Sequence, residues 1–149
     1  MTSQASTAAA KFASGYNCAQ SVLWTFAGRF GFAPDTALKI ACGFGAGMGR
    51  RQEVCGAVTG GIMVLGLKFG RGEIQDRTAT EKTYAMTQEL MRRFEAKHGT
   101  CSCRQLLDGC ALASESGQKQ FKERDLLNQT CMPCVKTVAD ILEELLSDT

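Results

Sequence analysis

The sequence predicts an all-α protein: a compact multi-helix bundle of about six or seven helices around a glycine-rich central helix. Three observations carry that prediction. Apolar residues recur at three- and four-residue spacing along the chain, and no stretch alternates as a strand would. Capping residues and glycines punctuate these runs at helix-sized intervals. The 149 residues suffice for one core but not for two full-sized domains, so residues 1–149 read as a single domain.

Taken in order, a first helix covers Thr7 to Ser14 and stops near Gly15. Asn17 is the N-cap of a second, with Gln20 at its third position and Val22, Leu23, Phe26 and Phe30 as its apolar stripe. Pro34 and Asp35 open a third, running to Cys42 and ending in the loop Gly43 to Gly49. An apolar helix from Arg50 to Phe69 follows; its four glycines cost roughly 0.8–1 kcal/mol each relative to alanine, so close backbone packing must offset them. Gly56 and Gly60 share one face, Ala57 and Gly61 another, and these small-residue faces suit either intrachain packing or a homodimer. Asp76 to Lys97 forms a long polar helix with Tyr84, Leu90, Met91 and Phe94 inward, Arg92-Arg93 on its solvated face, and Gly99 as C-cap. A short helix from Ser102 or Cys103 to Asp108, a polar loop around Ser114 to Gly117, and a charged helix to Gln129 come next. The last helix begins after Thr130, with Val135, Val138, Leu142 and Leu145 on one face.

Composition narrows the function classes. Hydrophobic residues make up 44% and charged residues 21%, with 17 Lys+Arg against 15 Asp+Glu, which argues against disorder and against nucleic acid as a partner. Gly61 to Leu67 is cut off by Lys68, far short of a membrane span, so no membrane insertion is expected. The N-terminal residues lack the apolar region of a signal peptide, which makes a cytoplasmic location the expectation.

Eight cysteines are unusual in such a chain: Cys18, Cys42, Cys55, Cys101, Cys103, Cys110, Cys131 and Cys134. Structural disulfides are rare in reducing compartments, so metal or redox chemistry gains weight, while Cys42 and Cys110 read as buried packing residues. Asn17-Cys18, Ser102-Cys103 and Thr130-Cys131 each place a capping residue before a cysteine at a helix start. There the backbone N–H groups and the macrodipole are expected to lower the thiol pKa from about 8.5 towards ~3.5–7.5. Cys55 follows Arg50-Arg51 and the glycine loop, with a weaker dipole if its helix begins at Arg50. The candidate set is Cys18, Cys55, Cys103 and Cys131.

Cys55-Gly56-Ala57-Val58-Thr59-Gly60 resembles the motif of the C_GCAxxG_C_C family of redox-active proteins. The resemblance extends to Asn17-Cys18-Ala19-Gln20, Met48-Gly49, the run Gly61 to Leu67, Cys103-Arg104-Gln105-Leu106-Leu107, and Cys131. It implies a redox role for Cys18, Cys55, Cys103 and Cys131, and a similar domain is associated with split-Soret cytochromes. Covalent haem is not expected, because no C-x-x-C-H occurs: Cys134 is followed by Val135. The four additional cysteines loosen the assignment of which thiols act.

Several chemistries suit such thiols. Cys18, Cys55, Cys103 and Cys131 as metal ligands would hold an iron–sulfur cluster, with Gly56 and Gly60 letting backbone approach it, for electron transfer or redox sensing. Alternatively, Cys131-Met132-Pro133-Cys134 acts as a catalytic dithiol, Cys131 attacking and Cys134 resolving. Structural zinc is disfavoured by the lack of paired C-x-x-C knuckles, and an interaction module with merely packed cysteines is the remaining reading. The redox partner is not legible.

Other signals are weaker. Glycines 43, 45, 47 and 49 do not satisfy a dinucleotide fingerprint, and a bend that aims Cys55 explains them more simply than phosphate binding with Arg50 and Arg51. His98 reads as dipole-stabilised or exposed, Glu143 and Glu144 as solvated, and Trp24 and the phenylalanines as core.

Overall fold

The computed structural model describes residues 3–147; residues 1–2 and 148–149 of the expected domain lie outside them. Its helices are α1 (Gln4–Ala13), α2 (Cys18–Ala27), α3 (Pro34–Ala41), the single turn α4 (Gly45–Met48), α5 (Gly56–Phe69), α6 (Arg77–His98), α7 (Cys103–Leu106), α8 (Glu115–Glu123) and α9 (Met132–Ser147). No strand forms among the described residues, and one isolated bridge joins Val54 to Ser102. The fold is all-α. Side-chain oxygens open five of the helices: Ser3 accepts from the Ser6 N–H, Asn17 from Gln20, Asp76 from Thr78, Ser102 from Gln105 and Ser114 from Gly117.

At the centre stands α5, with Gly56, Ala57, Val58, Gly60, Gly61, Val64 and Leu65 buried, and α2, α6 and α9 packed around it. Its glycines are there for contact. A Cβ on Gly60 would lie 2.8 Å from the Ala19 carbonyl oxygen of α2, and one on Gly61 2.8 Å from Val138 Cγ1 and 3.0 Å from Leu90 Cδ2. Both small-residue faces are thus covered within the chain. Among the described residues, no helix is long and apolar enough to cross a membrane.

The central helix begins at Gly56, not Arg50. Ala46, Gly47, Met48, Gly49, Arg50 and Gln52 all have positive φ, between 53° and 71°, so a right-handed helix cannot pass through them. The expected loop of residues 43–49 therefore contains a left-handed turn, at a cost of roughly 1–2 kcal/mol for each residue bearing a Cβ. The last helix does not start after a Thr130 cap. A π-helical turn, Leu127–Cys131, leads directly into α9, with the Met132 N–H donating to Leu127 O. Pro133 has no N–H and its ring crowds the carbonyl four residues back, which accounts for the widened turn. The charged helix ends at Glu123 rather than Gln129, where Asp125 turns left-handed (φ 51°).

Several side chains differ from expectation. Cys42 is exposed on the 3-10 turn after α3, whereas Cys110 is buried and donates to Gly117 O at 3.1 Å. Tyr84 is exposed because only the later part of α6, around Leu90 and Phe94, reaches the core. Trp24 is half-buried beneath Lys11, whose ammonium lies 4.1 Å from its ring centroid and 4.4 Å from that of Tyr16. His98 is neither free nor exposed: its Nε2 is 2.9 Å from Thr137 Oγ1, its ring packs on Phe94, and desolvation lowers its pKa. Arg93 is half-buried, bridging Glu89 and Glu144 at 3.0 and 2.9 Å.

The glycines of α5 give a paired test. Gly60→Ala forces a methyl against backbone and is expected to destabilise the protein by about 1–3 kcal/mol. Gly66→Ala, with nothing within 4 Å, is expected to stabilise by up to about 1 kcal/mol. Urea denaturation of the two variants measures both.

Candidate functional site

The left-handed passage is fixed from both sides. Gln52 N–H donates to Ala46 O and Glu53 N–H to Gly47 O, at 3.2 and 2.9 Å, closing the loop on itself. The buried Gln52 side chain then ties it to a distant segment, Nε2 donating to Cys110 O at 2.7 Å and Oε1 accepting from Leu112 N–H at 2.9 Å. Residues 52–55 run against 101–104: Cys55 N–H donates to Cys101 O (2.8 Å), Cys103 N–H to Glu53 O (2.7 Å) and Arg104 N–H to Gln52 O (3.2 Å). Cys55, the residue preceding α5, and Cys103, the first of α7, are thereby brought side by side.

Cys18 arrives from α2. Asn17 and Gln20 form a reciprocal cap, and their side-chain amides also reach Cys42 O (2.9 Å) and Leu38 O (3.0 Å), fixing the start of α2 against the end of α3. Gly56 makes room: a Cβ there would lie 2.5 Å from Cys18 Sγ. Gly47 does the same for Cys103, whose Cβ would be 2.8 Å from an added methyl.

These elements enclose a cavity of about 310 Å³ lined by Cys18, Cys55, Cys103, Cys131 and Cys134, and by Gly56. Gly60 does not line it, since it seats Ala19 instead. The other three cysteines lie elsewhere: Cys42 at the surface, Cys101 in the main core with its sulfur 3.8 Å from Met91 O, and Cys110 in a smaller apolar cluster. Among the described residues, no three His, Cys, Asp or Glu side chains are grouped to hold a single metal ion.

Backbone N–H groups do reach the sulfurs, those of Ala19 and Ala46 at Cys18 and that of Ala57 at Cys55, and each favours the thiolate. The opposite influences are larger. Cys18 is pushed well above its ordinary pKa by its hydrogen bond with Cys55 and by burial. Cys55 is raised chiefly by its hydrogen bond with Cys134, then by burial. Burial, followed by the nearby sulfurs, pushes Cys103 and Cys131 up to about 12. The expected lowering at helix N-termini is therefore overturned, and Cys131, in the π-helical turn, has no helix N-terminus to lower it.

A family model described as "Putative redox-active protein (C_GCAxxG_C_C)" matches residues 16–145. The chain belongs to that family. Neither a curated protein nor a solved structure matches it. In this C_GCAxxG_C_C protein the motif Cys55 to Gly60 forms the entry to the central helix, and the matched span takes in all five cavity cysteines. The family supports a redox-active role.

Two features of the site are absent from the sequence reading. Gln52 has no sequence signal, since its partners lie 58 and 60 residues away. That Cys134 meets Cys55 had one available signal, its spacing of one helical turn from Cys131.

Gln52→Ala leaves two buried backbone groups without partners, and a loss of roughly 2–4 kcal/mol is expected in denaturant titration. For the reduced, metal-free protein the pH dependence has a definite sign. Cys103 and Cys131 hold their protons more tightly when folded (about 12 against 9.0), so this contribution to stability is full below pH 9 and is lost as pH rises towards 12. Unfolding midpoints measured across pH 7–11 check it.

Proposed function

We propose that this chain is an electron-transfer or redox-sensing protein whose Cys18, Cys55, Cys103 and Cys131 hold an iron–sulfur cluster. One observation carries the reading: these four thiols, from separate parts of the chain, line the same cavity. Their chemistry suits the group, since both common cluster types take four cysteine thiolates. Gly56 leaves clear the space beside the Cys18 sulfur that a Cβ would fill. Tetrahedral zinc, with Zn–S near 2.3 Å, needs its sulfurs about 3.8 Å apart. Among the described residues, no three of these thiols are grouped to hold a single metal ion, which disfavours a mononuclear zinc site.

When bound, the cluster would supply one-electron chemistry. The chain's own residues set its conditions. The N–H groups of Ala19, Ala46 and Ala57, which reach the Cys18 and Cys55 sulfurs, would offset thiolate charge and tune the potential of a cluster held there. Burial keeps the thiols protonated until a cation displaces their protons, so loading releases protons to solvent.

A second reading has its own observation. Cys55 hydrogen-bonds to both Cys18 and Cys134, so a dithiol–disulfide couple would run through Cys55, with Cys131 and Cys134 as the sequence-derived pair beside it. Two thiols would become one disulfide, passing two electrons to an acceptor disulfide and two protons to its thiols. The raised pKa values of Cys18, Cys55 and Cys131 slow attack by those sulfurs, which places this reading second.

Anaerobic purification tests the proposal. The expected protein is brown, with stoichiometric iron and acid-labile sulfide, and Cys55→Ser loses both. A colourless, iron-free wild type that loses two titratable thiols on mild oxidation would overturn the cluster in favour of the dithiol.

A further inference from the structure

The cavity has walls that its thiols do not account for. Ordered by exposure, Phe12, Leu107 and Leu112 lie buried at its back with Cys55, Cys103 and Cys134, while Leu106 and Phe121 are half-buried along its sides. Its rim is formed by the exposed residues Tyr16, Arg50, Lys122 and Leu127. Among the described lining residues none is an Asp or Glu.

The two rim cations are uncompensated. Among the described residues, neither Arg50 nor Lys122 makes an ion pair. Of the carboxylates near Lys122 in sequence, Glu123 pairs with Lys119 at 3.8 Å and Asp125 accepts from Asn128 Nδ2 at 2.9 Å, while Asp108 pairs with Arg124 at 3.8 Å. A third positive charge, Lys11, lies 4.4 Å from the centroid of the Tyr16 ring at the same rim. Arg50 is held there by the left-handed backbone of the loop, at φ 69°.

We propose that this cavity binds a small organic anion, its apolar body against Phe12, Leu106, Leu107 and Phe121 and its carboxylate- or sulfonate-type group between Arg50 and Lys122. Its volume, about 310 Å³, falls at the small end of the ~300–1,000 Å³ typical of small-molecule sites, which limits the body to one or two rings or a short alkyl chain. Apolar walls with a few polar groups at one end are the usual composition of such sites. The inference rests on the walls and rim; a cluster on the sulfurs would occupy the back of the same cavity and leave room for a smaller body between the side walls and the rim.

Calorimetric titration of the anaerobically isolated protein with 1-naphthalenesulfonate, a two-ring anion within that size limit, tests it. One saturable site is expected, displaced by octanoate but not by octyltrimethylammonium. Arg50→Gln combined with Lys122→Gln is expected to weaken binding about tenfold or more, leaving iron, sulfide and melting temperature unchanged. Unsaturable binding, equal displacement by the cationic amphiphile, or unchanged affinity in the double variant would each overturn the proposal. Because iron and sulfide are measured on the same samples, failure here is separable from failure of the cluster reading.

Discussion

The geometry of the site depends on one backbone constraint, the left-handed passage from Ala46 to Gln52. Chain that would otherwise continue the central helix is turned back, so that α5 begins at the motif cysteine. The same passage points the Ala46 N–H at Cys18 and packs Gly47 against Cys103. Four non-glycine residues, Ala46, Met48, Arg50 and Gln52, adopt a conformation that disfavours a Cβ, and only surrounding contacts can hold them there. Gln52 supplies the firmest of these contacts, satisfying two backbone groups of another segment with one amide.

Within that frame the cavity sets two effects against each other. Helix-start N–H groups at Cys18 and Cys55 favour negative sulfur, whereas burial and the closeness of the other thiols oppose it. In the thiol state burial wins. A bound cation would reverse the balance, because positive charge among the sulfurs turns their mutual repulsion into shared attraction while the N–H donors remain in place. At neutral pH these donors alone leave the thiols protonated.

Much of this was legible from local patterns. The caps at Asn17 and Ser102, the stop at Gly99 and the packing role of Gly60 and Gly61 follow from short-range chemistry, and the structure contains each of them. The start of α5 was not legible, because its position is decided by the left-handed run and by Gln52, whose partners are distant in sequence. Cys131 looked like a capped helix start because Thr130 precedes it, but the widened turn ahead of Pro133 joins two helical segments there. The thiol pKa values were misjudged for a related reason: a cap can be read locally, whereas burial by other segments cannot. Cys42 illustrates the converse, since a cysteine in an apolar stretch proved to lie outside the core.

The sulfurs that face the cavity come from both ends of the chain, Cys18 near its beginning and Cys131 and Cys134 near its end. Whatever joins them cross-links a loop of roughly a hundred residues, and closing so long a loop restricts the unfolded chain strongly. A species that binds only the native arrangement also draws the folding equilibrium towards it. Occupancy would therefore be expressed as persistence: the filled protein would outlast proteases that degrade the empty one, and cellular abundance would follow the state of the sulfur pocket.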